Sequence, residues 1–187
     1  MLSKDSIFRR LPARMERGQA VCLDGIRHAA EIADLAHTRL QQTLTELALT
    51  KAESPLDRLA YTSAFLDAWA FVGAIDRIGS LFKLTPGVKR VPVEDLDPIE
   101  NTIGPIRKLR NIADHLGQRV DYVVSKNGNA FGSLAWITYT DLAARKGRAC
   151  QLQPGTIPRQ LKFEARMPED HATPNEVTGR IRLFAGG

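Results

Sequence analysis

Cysteine is almost missing from this chain. Cys22 and Cys150 are the only two, far apart and in no C-x-x-C arrangement. A disulfide framework or a zinc cluster is not expected, and a reducing cytoplasm fits. Long apolar runs are missing too. The longest, Ala68 to Ile75, is closed off by Asp67 and Asp76 and is too short to span a bilayer. No secretory h-region is visible, and Asp5 and Glu16 argue against organelle targeting. There is no P-loop, no G-x-G-x-x-G, no H-E-x-x-H and no G-x-S-x-G, and Ser63, Ser80 and Ser133 lack the context of a nucleophile. Repeats and low-complexity tracts are absent as well. No metal and no cofactor are expected.

What is present suits one globular domain, or one domain with a small appendage. The 187 residues are 43% apolar and 25% charged, with a net charge of +5. That balance is ordinary for a protein with a real core and compatible with an anionic partner. Residues 1–17 carry Arg9, Arg10, Arg14 and Arg17 and read as a flexible basic arm. Residues 18–50 keep a helical period through Val21, Ile26, Ala29, Ala33, Leu40, Leu44 and Leu47. His28 and His37 fall on opposite sides of that helix and read as polar-face residues, with Asp24 placed to pair with His28. Ser54-Pro55-Leu56-Asp57 has the cap, first-position proline and acid of a helix start, and Thr85-Pro86-Gly87 stops the helix that follows. Its middle, with Trp69, Phe71 and Val72, is apolar nearly all round. Such a helix is usually central to a bundle or half of an oligomer interface. Lys89 and Arg90 follow on a loop.

The chain is organised around residues 98–125. Ile99, Ile103, Ile106, Leu109, Ala113, Leu116, Val120 and Val124 recur at three- and four-residue steps, which predicts one helix with one apolar face. Asp97 is placed as its N-cap and Pro98 at its first position. The other side carries Arg107, Lys108, Arg110, Asn111, Asp114, His115 and Arg119. On a straight helix Arg110 and His115 stand roughly 140° apart, so a single copy cannot close both on one small group. Two copies about a dyad can. Pro105 makes a kink or restart expected. Asp76 with Arg77, or Asp67 facing a basic partner, is the carboxylate expected to orient Arg110.

The segment Arg110-Asn111-Ile112-Ala113-Asp114-His115 resembles the R-x4–6-H signature of the HEPN superfamily, which tolerates a polar residue after the arginine. The likeness covers roughly residues 18–126. It implies a compact helical bundle, a homodimer, and in many members a metal-independent endoribonuclease of toxin–antitoxin or phage-defence systems. It also implies that Arg110 and His115 are the catalytic pair, supplied by both protomers. Chemically, an imidazole suits proton transfer at neutral pH and a guanidinium suits phosphate oxygens. Asn111, Asp114 and Arg107 are then supporting residues, and Lys108 and Arg119 contact RNA.

After Ser125, Lys126-Asn127-Gly128-Asn129 reads as a stop and turn. GSLAWITYTD, RACQLQ, RQLKFEAR and EVTGRIRLFA then read as strands, separated by Lys146-Gly147 and Pro154-Gly155. The expected fold is therefore α+β: a mainly helical antiparallel bundle over 18–126 and a β-rich extension over 127–187. Arg145, Lys146, Arg148, Arg159, Lys162, Arg166, Arg180 and Arg182 concentrate in that extension, for RNA or partner contact or as a cover on the bundle. Two functions fit. The preferred one is a cytoplasmic, dimeric endoribonuclease with an RNA substrate and an antitoxin or other protein as partner. The other is a non-catalytic dimeric scaffold or RNA- or protein-binding module, in which Arg110 and Asp114 form a plain intrahelical ion pair.

Overall fold

The structure is a computed structural model. It describes residues 3, 5, 6, 9–50, 58–88, 92–118, 120–125, 129–154, 159–166 and 177–185. The fold is α+β: long helices and a four-stranded antiparallel sheet. Among the described residues no helix is long and apolar enough to cross a membrane.

Helix α1 runs Arg17–Leu49 and helix α2 runs Arg58–Leu84. At the start of α1 the Glu16 carboxylate accepts the Gly18 and Gln19 amides at 2.8 and 3.0 Å, satisfying two of the helix's orphan donors. Helix α2 stops where the sequence places the stop. The Thr85 hydroxyl donates to the Leu81 carbonyl and Gly87 has φ +96°. The Ser54–Asp57 start signal and the Lys89–Arg90 loop lie outside the described residues.

The helix expected over 98–125 is different. Helix α3 is Val93–Asp114; a short 3-10 turn, Leu116–Gln118, follows, and then helix α4, Val120–Ser125. Pro92 takes the leading place read for Pro98, with the Asp95 amide donating to its carbonyl. Asp97 is therefore not a cap. Pro98 and Pro105 both lie inside α3, each lacking the N–H for one helical bond. The 3-10 turn resets the phase, so α4 buries Val123 and exposes Val120 and Val124, the reverse of a continuous period.

Contacts divide the chain into two compact units, and both long helices contribute to each. The first holds residues 1–37 and 69–111. Its interior is built of small side chains, with Ile26, Ala29, Ala33, Ala36, Val72, Ala74 and Ile103 buried. Gly79 is part of that economy. A Cβ there would stand 2.7 Å from a methyl of Ile103, so only a bare backbone lets α2 and α3 come this close.

The second unit holds residues 38–68 and 112–187. Strands β1 Ser133–Asp141, β2 Lys146–Gln153, β3 Arg159–Arg166 and β4 Thr178–Phe184 form a sheet in the order β3-β2-β1-β4. Leu134, Trp136, Cys150 and Leu152 pack one face against Leu40, Leu44, Leu47, Tyr61 and Phe65. The buried Trp136 indole N–H donates to the Leu44 carbonyl at 3.1 Å. Hydroxyls of Thr45, Thr178 and Thr138 form a chain at 2.6 and 2.8 Å, and Gln41 donates to the Thr178 carbonyl. These bonds satisfy polar groups that burial would otherwise strand. Gly147 does not make the turn read for it. It lies in β2, where a Cβ would meet the Thr138 carbonyl at 2.6 Å, and the turn is Leu142–Arg145. Residues 126–128 and Gly155 lie outside the described residues.

Candidate functional site

Asp76 sits on α2 within the first unit and is nearly fully buried, at 3% exposure. A carboxylate there must be paired. It takes two cations from α3. Arg107 Nε donates to Oδ1 at 3.1 Å, and Arg110 Nη1 donates to Oδ2. The two arginines are three residues apart, which puts them on one side of α3. Arg107 also lies 4.0 Å from Glu100, whose carboxylate holds Lys83 at 2.7 Å. A Cβ at Gly79 would make only an ordinary 3.5 Å contact with Arg107 Nη2. That nitrogen is buried with no hydrogen-bond partner among the described residues.

Two guanidinium groups share this one carboxylate, and Arg110 is the more exposed of them, with 45% of its side chain exposed against 29% for Arg107. The expectation that Asp76 orients Arg110 is met, with Arg107 and not Arg77 as the second partner. Asp67 does not take part. It is buried nine residues earlier on α2, near the opposite side of the helix, and lies 3.3 Å from Arg39. Burial pushes its carboxyl above the usual range, and Arg39 partly offsets this.

Lys108 and Asn111 are exposed on α3. Asp114 is the last residue of α3 and is exposed. His115 is not on the helix; it occupies the turn just beyond and is exposed. The straight-helix angle between Arg110 and His115 therefore does not apply. Among the described residues no hydrogen bond or ion pair reaches the imidazole ring. Arg119 lies outside the described residues. Of the other histidines, His171 lies outside the described residues and two have local partners. His28 lies 3.8 Å from Asp24 and 3.6 Å from Glu31, and His37 leans on the Phe71 ring at 5.7 Å.

No protein-family model matches this chain, and neither does any curated protein or any solved structure.

Among the eight cations noted in the sheet region, Arg148 and Lys162 have structural work. Arg148 donates to the Ala48 carbonyl at 2.9 Å, and Lys162 donates to the Thr50 carbonyl at 2.6 Å. They cap the last carbonyls of α1, where a cation is favoured. Burial lowers the Lys162 ammonium below its ordinary range. Their positions in the sequence carry no sign of this role, because the partners lie on a helix about a hundred residues away. The Lys83–Glu100 bridge was missed for the same reason. Among the described residues no three His, Cys, Asp or Glu side chains gather as a metal-binding group.

Proposed function

We propose that the protein is a metal-independent endoribonuclease, similar in motif to the HEPN superfamily and working as a homodimer. RNA carries its own nucleophile, the 2′-OH. Cleavage needs a group to move that proton, a group to protonate the leaving 5′-oxygen, and positive charge on the phosphorane. In this reading Arg110 binds the phosphate oxygens, His115 moves the proton, and a twofold mate supplies the second set. The observation that carries it is the buried Asp76 gripping Arg110 together with Arg107. A guanidinium held in one rotamer loses less freedom when it binds phosphate. Asn111 is a substrate contact, Asp114 tunes the local charge, and Lys108 and Arg119 contact the RNA backbone. The proposed setting is a cytoplasmic toxin or phage-defence component, with an antitoxin as a possible protein partner.

The test is cleavage of single-stranded RNA in excess chelator. Products ending in 2′,3′-cyclic phosphate are expected from the parent. His115→Ala and Arg110→Ala, each shown folded by circular dichroism, should lose at least about a hundredfold in rate. Equal rates in both variants would end this assignment of roles. A second reading, a non-catalytic binding module, is favoured by the place of His115 beyond the end of α3, without the partner that usually orients a catalytic imidazole. It predicts RNA binding that weakens with salt and no cleavage.

A further inference from the structure

The sheet has a second face. In β1, Leu134 and Trp136 point into the core, so the alternate residues Ala135 and Ile137 point away from it. The register carries that face across all four strands. Phe163 stands beside Ala149, Ala149 beside Ile137, and Ala135 beside Arg182. Phe184 follows two residues after Arg182, on the same side. Phe163 is 60% exposed and Phe184 47% exposed. Between these rings the face holds Ala135, Ala149 and Ile137, with Leu161, 44% exposed, two residues before Phe163. At the other end the face is closed, because Tyr139 is buried.

The strands carry mostly positive charge, part of it on the helix-facing side, where Arg148 and Lys162 reach the end of α1. The four strands hold seven basic residues and two acidic ones. Of the two acids, Glu164 stands opposite Arg148 on the helix-facing side, and Asp141 lies at the strand end. Arg182 is exposed in the row between the two aromatic positions. Between Ile137 and Phe184 this face carries separated aromatic rings, a guanidinium and, among the described residues, no acid, which suits stacked bases and a phosphate chain. An apolar protein partner would instead have to bury the Arg182 charge with no carboxylate beside it among the described residues.

We propose that this outer face binds single-stranded RNA, with Phe163 and Phe184 stacking on different bases and Arg182 meeting the backbone between them. The inference rests on the reading that RNA is the substrate, and it gives that substrate a holding surface separate from Arg110 and His115. Stacking is tolerant of sequence, since every base has a π-face, so weak sequence preference is expected.

The experiment is fluorescence anisotropy of the full chain with a short, labelled 2′-O-methyl oligouridylate, which cannot be cleaved through its 2′-position. Phe163→Ala and Phe184→Ala should each weaken binding about fivefold or more. Phe163→Trp should restore or exceed the parent affinity, and Arg182→Ala should lower the salt dependence. Unchanged thermal midpoints confirm that the variants are folded, and Phe163→Leu keeps the apolar contact without the stack. No binding by the parent, or unchanged affinity in the Phe163→Ala/Phe184→Ala double variant, overturns the proposal. So does a double variant that changes sedimentation but not affinity, because the face would then be a protein interface. A parent that binds but never cleaves overturns the ribonuclease reading and leaves this surface standing.

Discussion

Asp76 shows how one residue can organise several others. A nearly buried carboxylate draws Arg107 and Arg110 from α3, and either arginine alone still neutralises it. A double-mutant cycle should therefore be strongly non-additive. Arg107→Ala and Arg110→Ala are each expected to cost about 1 kcal/mol, because one cation remains and both side chains are partly solvated. The double variant leaves the carboxylate buried and unpaired and should cost roughly 3–5 kcal/mol. Urea unfolding of the four proteins checks this; strict additivity would mean the carboxylate is not shared. Glu16 supplies a pH-dependent counterpart. Hydrogen bonds from the Gly18 and Gln19 amides hold its carboxyl below the ordinary 4.5. A lowered folded pKa means stability present above that value and lost as pH falls through the folded one. Glu16→Gln should thus be less stable than the parent at about pH 7, with the two converging at about pH 2. Chemical denaturation across that range would show it.

Helix α1 ends against the sheet. Arg148 and Lys162 reach the Ala48 and Thr50 carbonyls from β2 and β3, so the sheet caps the helix that forms its floor. Lys162→Met keeps the aliphatic stem and removes the donor. The amides of the last turn of α1 should then exchange about fivefold faster, with little change earlier in the helix. Helix α3 carries the opposite feature. Pro105 is exposed inside it and forfeits one hydrogen bond. Pro105→Ala should stabilise the protein by about 1–3 kcal/mol, a rise of several degrees in Tm. A fall in Tm would show that the proline shapes α3 in a way the native packing needs. The outer strands of the sheet, among the described residues β3 and β4, are also managed. β3 alternates charged residues along its length, and β4 is bulged at Arg180, which has φ +51°. Both features discourage strand addition.

The whole chain is divided unusually. Each long helix feeds two interiors: α1 buries Ala29 and Ala33 in the first unit and Leu40 and Leu44 in the second. Loss of one interior removes the support for half of each helix, so the units should unfold together. The two tryptophans report on them separately, Trp69 in the first unit and Trp136 in the second. Trp69→Phe and Trp136→Phe variants should each give fluorescence transitions that coincide with far-UV circular dichroism. Transitions separated in denaturant would show two independently stable bodies. Leu59 and Leu66 on α2 are 75% and 61% accessible in the single chain.

Periodicity and local punctuation made the two long helices legible, along with the Thr85-Pro86-Gly87 stop, the four strands and so the α+β class. Each depends on neighbours within a few residues, where backbone sterics and side-chain spacing act directly. The same reading offered Asp76 or Asp67 as the carboxylate for Arg110, since both interrupt the apolar stretch of α2, and packing chose Asp76. It misjudged the segment after Asp114, where a 3-10 turn resets the helical phase and moves His115 off the helix. Pairings between distant residues were not legible: Arg107 on Asp76, Lys162 on the end of α1, Phe163 and Phe184 on one face. Those depend on how helices and strands are brought together in space. A linear pattern encodes which residues share an element's face, whereas packing chooses what that face meets.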